Sequence, residues 1–255
     1  MEGKICYNRL HKEINFMLDT LLFDLDGTLV PFVQDDFIQA YFHTLVRRLA
    51  PMGYDGGKLT RAIWAGTAAM VQNDGQRTNR QVFWEVFTQQ MGLQSLALES
   101  ILEDFYVRDF DGVRSVLTRP VDRSGLIRGL RRRGYCLVLA TNPIFPAVAV
   151  ETRLRWVGLT GEDFSYVTTY ENSRHSKPNP DYYRDILSVV GRQGCQCLMV
   201  GNNPVDDMAA LEAGLGAYLV TDYLENPENR PIGGYTHGTF QELKTFLNGL
   251  PGVGE

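Results

Sequence analysis

The chain has no apolar stretch long enough to cross a bilayer, which takes about 20 residues, so a helical membrane protein is not expected. It has no GxxxxGK[ST] sequence, which excludes a P-loop nucleotide site. It has no internal repeat and no low-complexity tract, which removes solenoid and fibrous architectures. Cysteine is scarce: Cys6, Cys136, Cys195 and Cys197 are the only four. Cys195 and Cys197 lack a second Cys/His pair at zinc spacing, and small buried thiols explain them better than a disulfide framework. Excess positive charge is also missing. The net charge of −5 gives no general attraction to nucleic acid or anionic lipid, so neither is an expected partner. The one dense basic run, Arg128 with Arg131, Arg132 and Arg133, is followed by Gly134 and reads as the end of a helix, where cations and a glycine cap belong. Residues 1–16, MEGKICYNRLHKEINF, have no apolar core of the secretory kind. They read as an extension before a folded unit that begins near Met17, in a protein of the reducing cytoplasm.

What is present is ordered in two blocks. DTLLFD is a short buried strand. From Asp35 the spacing of Phe37, Ile38, Tyr41, Phe42, Leu45, Val46 and Leu49 predicts a helix, with Asp35 or Asp36 as its cap. KLTRAIWAGTAAMVQ, RQVFWEVFTQQMG (capped by Thr78 or Asn79) and LALESILEDFYV read as further helices. Their Trp64, Phe83, Trp84 and Phe87 read as core rather than as a ligand cage. From Pro120 strands alternate with helices: DRSGLIRGLRRRG, then YCLVLAT, a helix opened by Pro146, FSYVTT, a helix opened by Asn179 and Pro180, CLMVG, a helix to Ala213, and AYLVT. That alternation implies a parallel sheet covered on both faces. The expected fold is α/β, a Rossmann-like three-layer core formed by residues 17–32 and 116–255, interrupted at 33–115 by an all-helical cap.

Ligands of open parallel sheets bind beyond the carboxyl ends of the strands. Asp24 and Asp26 stand at the first such end, Thr141 and Asn142 at another, and Gly201, Asn202 and Asn203 at a third, with Asp206 and Asp207 close behind. Lys177 precedes the helix opened by Pro180. DLDGT alone is compatible with a simple turn, since Asp-Gly favours one. The clustering of the other groups argues for a site. Its carboxylates would repel one another unless a divalent cation joined them. Mg2+ accepts one or two carboxylates together with substrate phosphate. A threonine hydroxyl, an asparagine amide and a lysine could hold the phosphoryl oxygens. Asp24 could then attack phosphorus, and Asp26 could protonate the leaving oxygen and later deprotonate water.

These motifs resemble the haloacid dehalogenase superfamily, in its phosphatase-like members, over about residues 19–250. Asp24-Leu-Asp26-Gly27-Thr28 matches the first motif, Thr141 in LVLATNP the second, Lys177-Pro178 the third, and VGNNPVDDM part of the fourth. The resemblance implies that Asp24 is the nucleophile, Asp26 the general acid/base, and Thr141 and Lys177 the phosphoryl ligands. It further implies Mg2+ on the Asp24 carboxylate and the Asp26 main-chain carbonyl. The insertion is similar to a helical cap that selects substrate. In the fourth motif related chains carry an acid where Asn202 and Asn203 stand. Asp207 aligns with the later acid, and Mg2+ is expected to bind more weakly through an asparagine carbonyl.

The leading expectation is a phosphatase acting on a small phosphorylated metabolite. A sugar phosphomutase uses the same aspartate pair, and a phosphate-binding or interaction protein with weakened catalysis would fit Asn202 and Asn203. A phosphonate-cleaving enzyme would need a Schiff-base lysine, and Lys58, the only lysine of the insertion, reads as a surface residue. Arg77, in the polar loop NDGQRTNR, and His175, near Lys177, are the candidates for substrate contact outside the rim.

Overall fold

The computed structural model describes residues 18–92 and 97–254. The proposed extension at 1–16, Met17 and Cys6 lie outside them. β1 (Thr20–Phe23) is completely buried and forms the middle of a six-stranded sheet. It pairs in parallel with β2 (Cys136–Leu139) on one side and β4 (Cys197–Gly201) on the other, so that Phe23, Leu139 and Val200 reach one level. β3 (Tyr166–Val167), β5 (Gly216–Val220) and β6 (Thr236–Gly238) complete the order β3-β2-β1-β4-β5-β6, every pairing parallel. A central strand buried on both faces needs no polar alternation, which is why TLLF is wholly apolar after its threonine.

Alternate residues of β1 face two layers. Leu21 and Phe23 join a core with α5 (Ser124–Arg132), α6 (Ala147–Trp156) and α8 (Phe240–Gly249). Leu22 joins Val138 and Met199 against Tyr182, Tyr183 and Ile186 of α7 (Pro180–Val190). The Rossmann-like three-layer arrangement expected from the strand–helix alternation is therefore what the chain adopts.

Between β1 and α5 the regular structure is helical: α1 (Gln34–Leu49), α2 (Gly56–Val71), α3 (Asn79–Met91), α4 (Leu98–Arg108) and a 3₁₀ segment, Phe110–Val116. α1 starts without a side-chain cap, on Val33; Asp35 and Asp36 lie in its first turn, where negative charge meets the positive helix end. Thr78 and Gln81 form a reciprocal capping box on α3, and Asn179 caps α7. Phe37, Phe87 and Phe105 are almost fully buried in the same cluster as Phe23 and Leu139, so insertion and sheet share one continuous core. Each such side chain contributes roughly 1.5–3 kcal/mol by leaving water.

The insertion is also tied down by polar contacts. Asn79, completely buried, donates to the Pro143 carbonyl and the Ser176 hydroxyl, both at 3.0 Å, and its main-chain N–H donates to the Ser173 carbonyl at 2.8 Å. Asn79 thus clamps the start of α3 between the loops that follow β2 and precede α7.

Candidate active site

DLDGT is a turn whose two carboxylates are also drawn into buried charge clusters. After β1 the chain folds back through hydrogen bonds from Gly27 N to Val30 O and from Val30 N to Leu25 O, both 2.8 Å. Gly27 has φ 74°, and a side chain there would collide with the Asn202 amide. Leu25 is driven fully into the core, and the carboxylates on either side of it go to separate partners.

Asp24 accepts from Lys177 Nζ at 2.8 Å, and the same ammonium donates to Asp207 at 2.7 Å. All three are buried. Burial, the largest influence, pushes the Asp24 carboxyl up to about 8; Lys177 opposes this, while Asp207 and Asp26 add to it. Burial pulls Lys177 down, but Asp207 and Asp24 outweigh it and hold the ammonium well above the usual lysine range. The second oxygen of Asp207 accepts from the Asn203 N–H at 2.8 Å. Asp206 is raised to about 6, chiefly by burial and then by Asp207, while Lys177 and the Asn142 amide, 3.4 Å away, pull it down.

Asp26 is paired with Arg153 of α6, whose side chain is completely buried. Burial raises Asp26 and Arg153 restrains the rise. The guanidinium also donates from Nε to the Ala149 carbonyl at 3.3 Å, and lies 4.5 Å above the Phe145 ring and 5.6 Å from that of Phe37. The pair is incomplete: Asp26 Oδ1 and Arg153 Nη2 are both buried without a partner among the described residues. Open polar atoms at a buried pair call for a further partner, whether water, ion or ligand.

Thr141 is buried, and its carbonyl is fixed by the Thr168 and Tyr182 hydroxyls at 2.8 Å each. Its own hydroxyl has no partner among the described residues. Asn142 likewise leaves a buried Oδ1 open. The rim therefore presents a carboxylate, a second carboxylate with its own cation, an ammonium, a free hydroxyl and a free amide oxygen.

Not every residue expected at this rim has its side chain available there. Asn202 is buried with both ends of its amide engaged: Oδ1 accepts from the Thr28 hydroxyl at 3.2 Å and Nδ2 donates to the Tyr223 carbonyl at 2.6 Å. Asn203 Oδ1 accepts from the N–H groups of Val205 and Asp206 at 2.8 and 3.0 Å, opening the turn that follows. Neither amide oxygen is free. Arg77 is exposed and paired with Glu85. His175 is bonded to Asp185 at 2.7 Å and lines a separate cavity of about 220 Å³. Neither Arg77 nor His175 joins the rim carboxylates. Lys58 donates to the Met91 carbonyl at 3.1 Å, a link within the insertion.

Two residues join the site unannounced by the motifs. Arg153 had a signal: in α6 it stands one turn from Ala149, Val150 and Trp156, on the face that is buried. An arginine on an apolar helix face needs a buried partner. Glu225 had none. It lies in the irregular chain after β5, its N–H bonded to the Asn202 carbonyl at 3.0 Å. Burial raises its carboxyl; Asn203 pulls it down, and the charges of Asp206, Asp207 and Asp26 add to the rise.

No group of three His, Cys, Asp or Glu side chains among the described residues forms a ready metal cage. The donor set still suits Mg2+, which takes one or two carboxylates and leaves its other positions to water and substrate. Asp24 has one oxygen with no partner among the described residues, the Asp26 carbonyl receives no hydrogen bond from them, and the carboxyls of Asp24, Asp206 and Glu225 are all raised by crowding and burial. A divalent cation would relieve that crowding.

Comparison with known proteins agrees with this geometry. A family model described as haloacid dehalogenase-like hydrolase matches residues 18–214. A phosphoglycolate phosphatase from Aliivibrio fischeri is 28% identical over 219 residues, covering 86% of each chain. The pyrophosphatase PpaX of Bacillus velezensis is 25% identical, over 76% of this chain and 79% of its own. Among solved structures, a phosphatase of the same fold from Thermococcus onnurineus superposes with a TM-score of 0.56 at 21% identity, covering 92% of this chain and all of its own. Its identity is low enough that it speaks for the fold alone.

Proposed function

The chain belongs to the haloacid dehalogenase-like hydrolases, and from that premise we propose that it is a Mg2+-dependent phosphatase. Its substrate is a small phosphomonoester, cleaved through a phosphoryl group carried on Asp24. The observation that carries this reading is the division of cations between the two aspartates: Lys177 serves Asp24 and Asp207, while Arg153 serves Asp26. Two carboxylates in different electrostatic settings can hold different protonation states, as a nucleophile and a proton donor require.

Asp24 attacks phosphorus while the Lys177 ammonium and the Thr141 hydroxyl hold phosphoryl oxygens. The ester P–O bond breaks, its electron pair leaves with the alcohol oxygen, and Asp26 gives that oxygen its proton. Asp26, now a carboxylate beside Arg153, takes a proton from water as the water attacks the phosphorylated Asp24, which is thereby regenerated. Mg2+ would be held by the Asp24 carboxylate and the Asp26 carbonyl, with Asp206 and Asp207 adding negative charge behind. When bound it neutralises phosphoryl charge and favours the ionised form of Asp24. The helices of 33–115 act as the cap, excluding water from the rim. A cytoplasmic setting is supported by the free thiols of Cys136, Cys195 and Cys197 and by the absence, among the described residues, of any helix able to cross a membrane.

The test is phosphate release from a panel of phosphomonoesters with Mg2+, in the native protein and in Asp24→Asn. Release that survives the substitution overturns the nucleophile. One observation favours a second reading, a phosphate-binding protein with little metal: both asparagine amides of the fourth motif are engaged elsewhere. Calorimetric titration that shows no Mg2+ binding at millimolar metal selects that reading.

A further inference from the structure

A cavity of about 280 Å³ opens between the inserted helices and the loop after β2. It adjoins the rim. Ile144, Phe145 and Pro146, which line it, lie just past Thr141 and Asn142, with only Pro143 between; Glu225, which lines it too, feels the charges of Asp26, Asp206 and Asp207. Arg153, the partner of Asp26, lies against the Phe37 and Phe145 rings that form part of its wall. A phosphoryl group at Asp24 has this cavity as the neighbouring space for the alcohol it is esterified to.

The wall is unusual in what it lacks. Among the described residues no Lys, Arg or His lines the cavity; its charged members are Glu99, Glu103 and Glu225. Arg80 neutralises Glu99, while Glu103 and Glu225 have no cationic partner among the described residues. The rest is largely aromatic, with Trp64, Trp84, Tyr106 and Phe145 among the rings. Trp64 is 47% exposed. It is tilted against Phe42 at 5.7 Å between ring centres, and a half-exposed indole on a cavity wall is surface available for stacking rather than core. An alcohol bearing a carboxylate or a second phosphate would meet Glu103 and Glu225 here, and the cations nearest the wall, Arg80 and Arg153, are already paired with Glu99 and Asp26. Phosphoglycolate and pyrophosphate, in the names of two relatives, both leave an anionic group.

We infer that this phosphatase acts on phosphomonoesters of an aromatic, ring-sized alcohol that carries no negative charge, held by the aromatic wall of the cavity. The inference rests on the phosphatase reading for its turnover, but not for its binding.

The experiment compares benzyl phosphate, 2-phosphoglycolate, pyrophosphate and methyl phosphate as substrates with Mg2+. In parallel it measures binding of benzylphosphonate and phosphonoacetate by calorimetry. The expected result is a kcat/KM at least about tenfold higher for benzyl phosphate than for the anionic substrates, the scale of discrimination an apolar pocket supplies. Trp64→Ala should lower the ratio of benzyl to methyl phosphate turnover about tenfold, mainly through KM. Glu103→Arg should shift preference toward phosphoglycolate. Preference of the native protein for phosphoglycolate or pyrophosphate, or equal losses on all substrates in Trp64→Ala, overturns the inference. If nothing is hydrolysed yet benzylphosphonate binds more tightly than phosphonoacetate and loses affinity in Trp64→Ala, the cavity assignment stands and the phosphatase reading falls. If benzylphosphonate does not bind, or phosphonoacetate binds better, the cavity assignment falls.

Discussion

The carboxyl rim of the sheet and the helical wall opposite it differ in how their side chains are held. At the rim Asp24, Lys177 and Asp207 are buried in one chain of ion pairs, and Asp26 is paired with a fully buried Arg153. The wall is lined by rings and three glutamates, and Trp64 on it touches water. Removing one member of a buried ion chain strands the others without solvent, so the rim behaves as a unit. Removing one ring removes little beyond its own contacts. On the proposed reading the rim is the place for the chemistry, and the wall the place where substrate preference can vary.

The sharpest way to break this contrast is at Asp24. Asp24→Asn should lower phosphate release by at least about 10³-fold, the scale on which loss of a nucleophile is felt. The same substitution should raise thermal stability at alkaline pH. The folded-state carboxyl sits near 8 against its ordinary 3.8. A raised carboxyl pKa means that stability is fully present below about 4 and is lost as pH climbs toward 8. Asparagine cannot ionise, so the variant should melt several degrees above the native protein at pH 8.5, with the difference nearly gone at pH 4.5; scanning calorimetry at the two pH values reads it.

Lys177→Met attacks the rim from the other side. Two buried carboxylates lose their shared cation, and the expected cost is about 3–5 kcal/mol, a drop on the order of 10 °C in melting temperature. Trp64→Ala, on the wall, should change stability by less than about 1 kcal/mol. Equal losses in the two variants would erase the distinction between the regions.

Arg153→Met leaves Asp26 without its cation and so raises its pKa further. A proton donor must be protonated in the free enzyme, so the alkaline limb of the kcat/KM profile should move to higher pH, with an activity loss of about 10–100-fold. An unmoved limb would show that Arg153 only packs α6. At the rim the mildest effect is expected at Asn202→Asp. It removes the donor that satisfies the Tyr223 carbonyl and adds a charge beside the crowded carboxylates. Stability should fall by about 1–3 kcal/mol without metal and recover in part with Mg2+, and melting curves with and without the cation check it.

The sequence revealed the sheet more readily than the site's wiring. Fully buried strands such as TLLF and CLMVG stand out as apolar runs, whereas β6, of sequence THG with two exposed residues, has nothing that periodicity can detect. The residues of the rim were found because the parallel-sheet rule places strand ends together. What their amides do was not readable: the partners that engage Asn202, Thr28 and Tyr223, come from two other loops, and one of them is 174 residues away. The aromatic stripes looked alike as letters. Phe87 is core as expected, and Phe83 is buried yet also reaches the cavity; Trp84 lines it half-buried while packing on the core, and Trp64 stands 47% exposed there.

Arg153 touches both regions, bonded to Asp26 on one side and set against Phe37 and Phe145 on the other. Its position makes two heritable traits inseparable. If Asp26 is the proton donor proposed above, a mutation that reshapes those rings to admit a different alcohol also disturbs the cation that sets when the donor works. Variants selected for a new substrate should therefore appear with altered acidity optima, and further changes on α6 should follow to bring the optimum back.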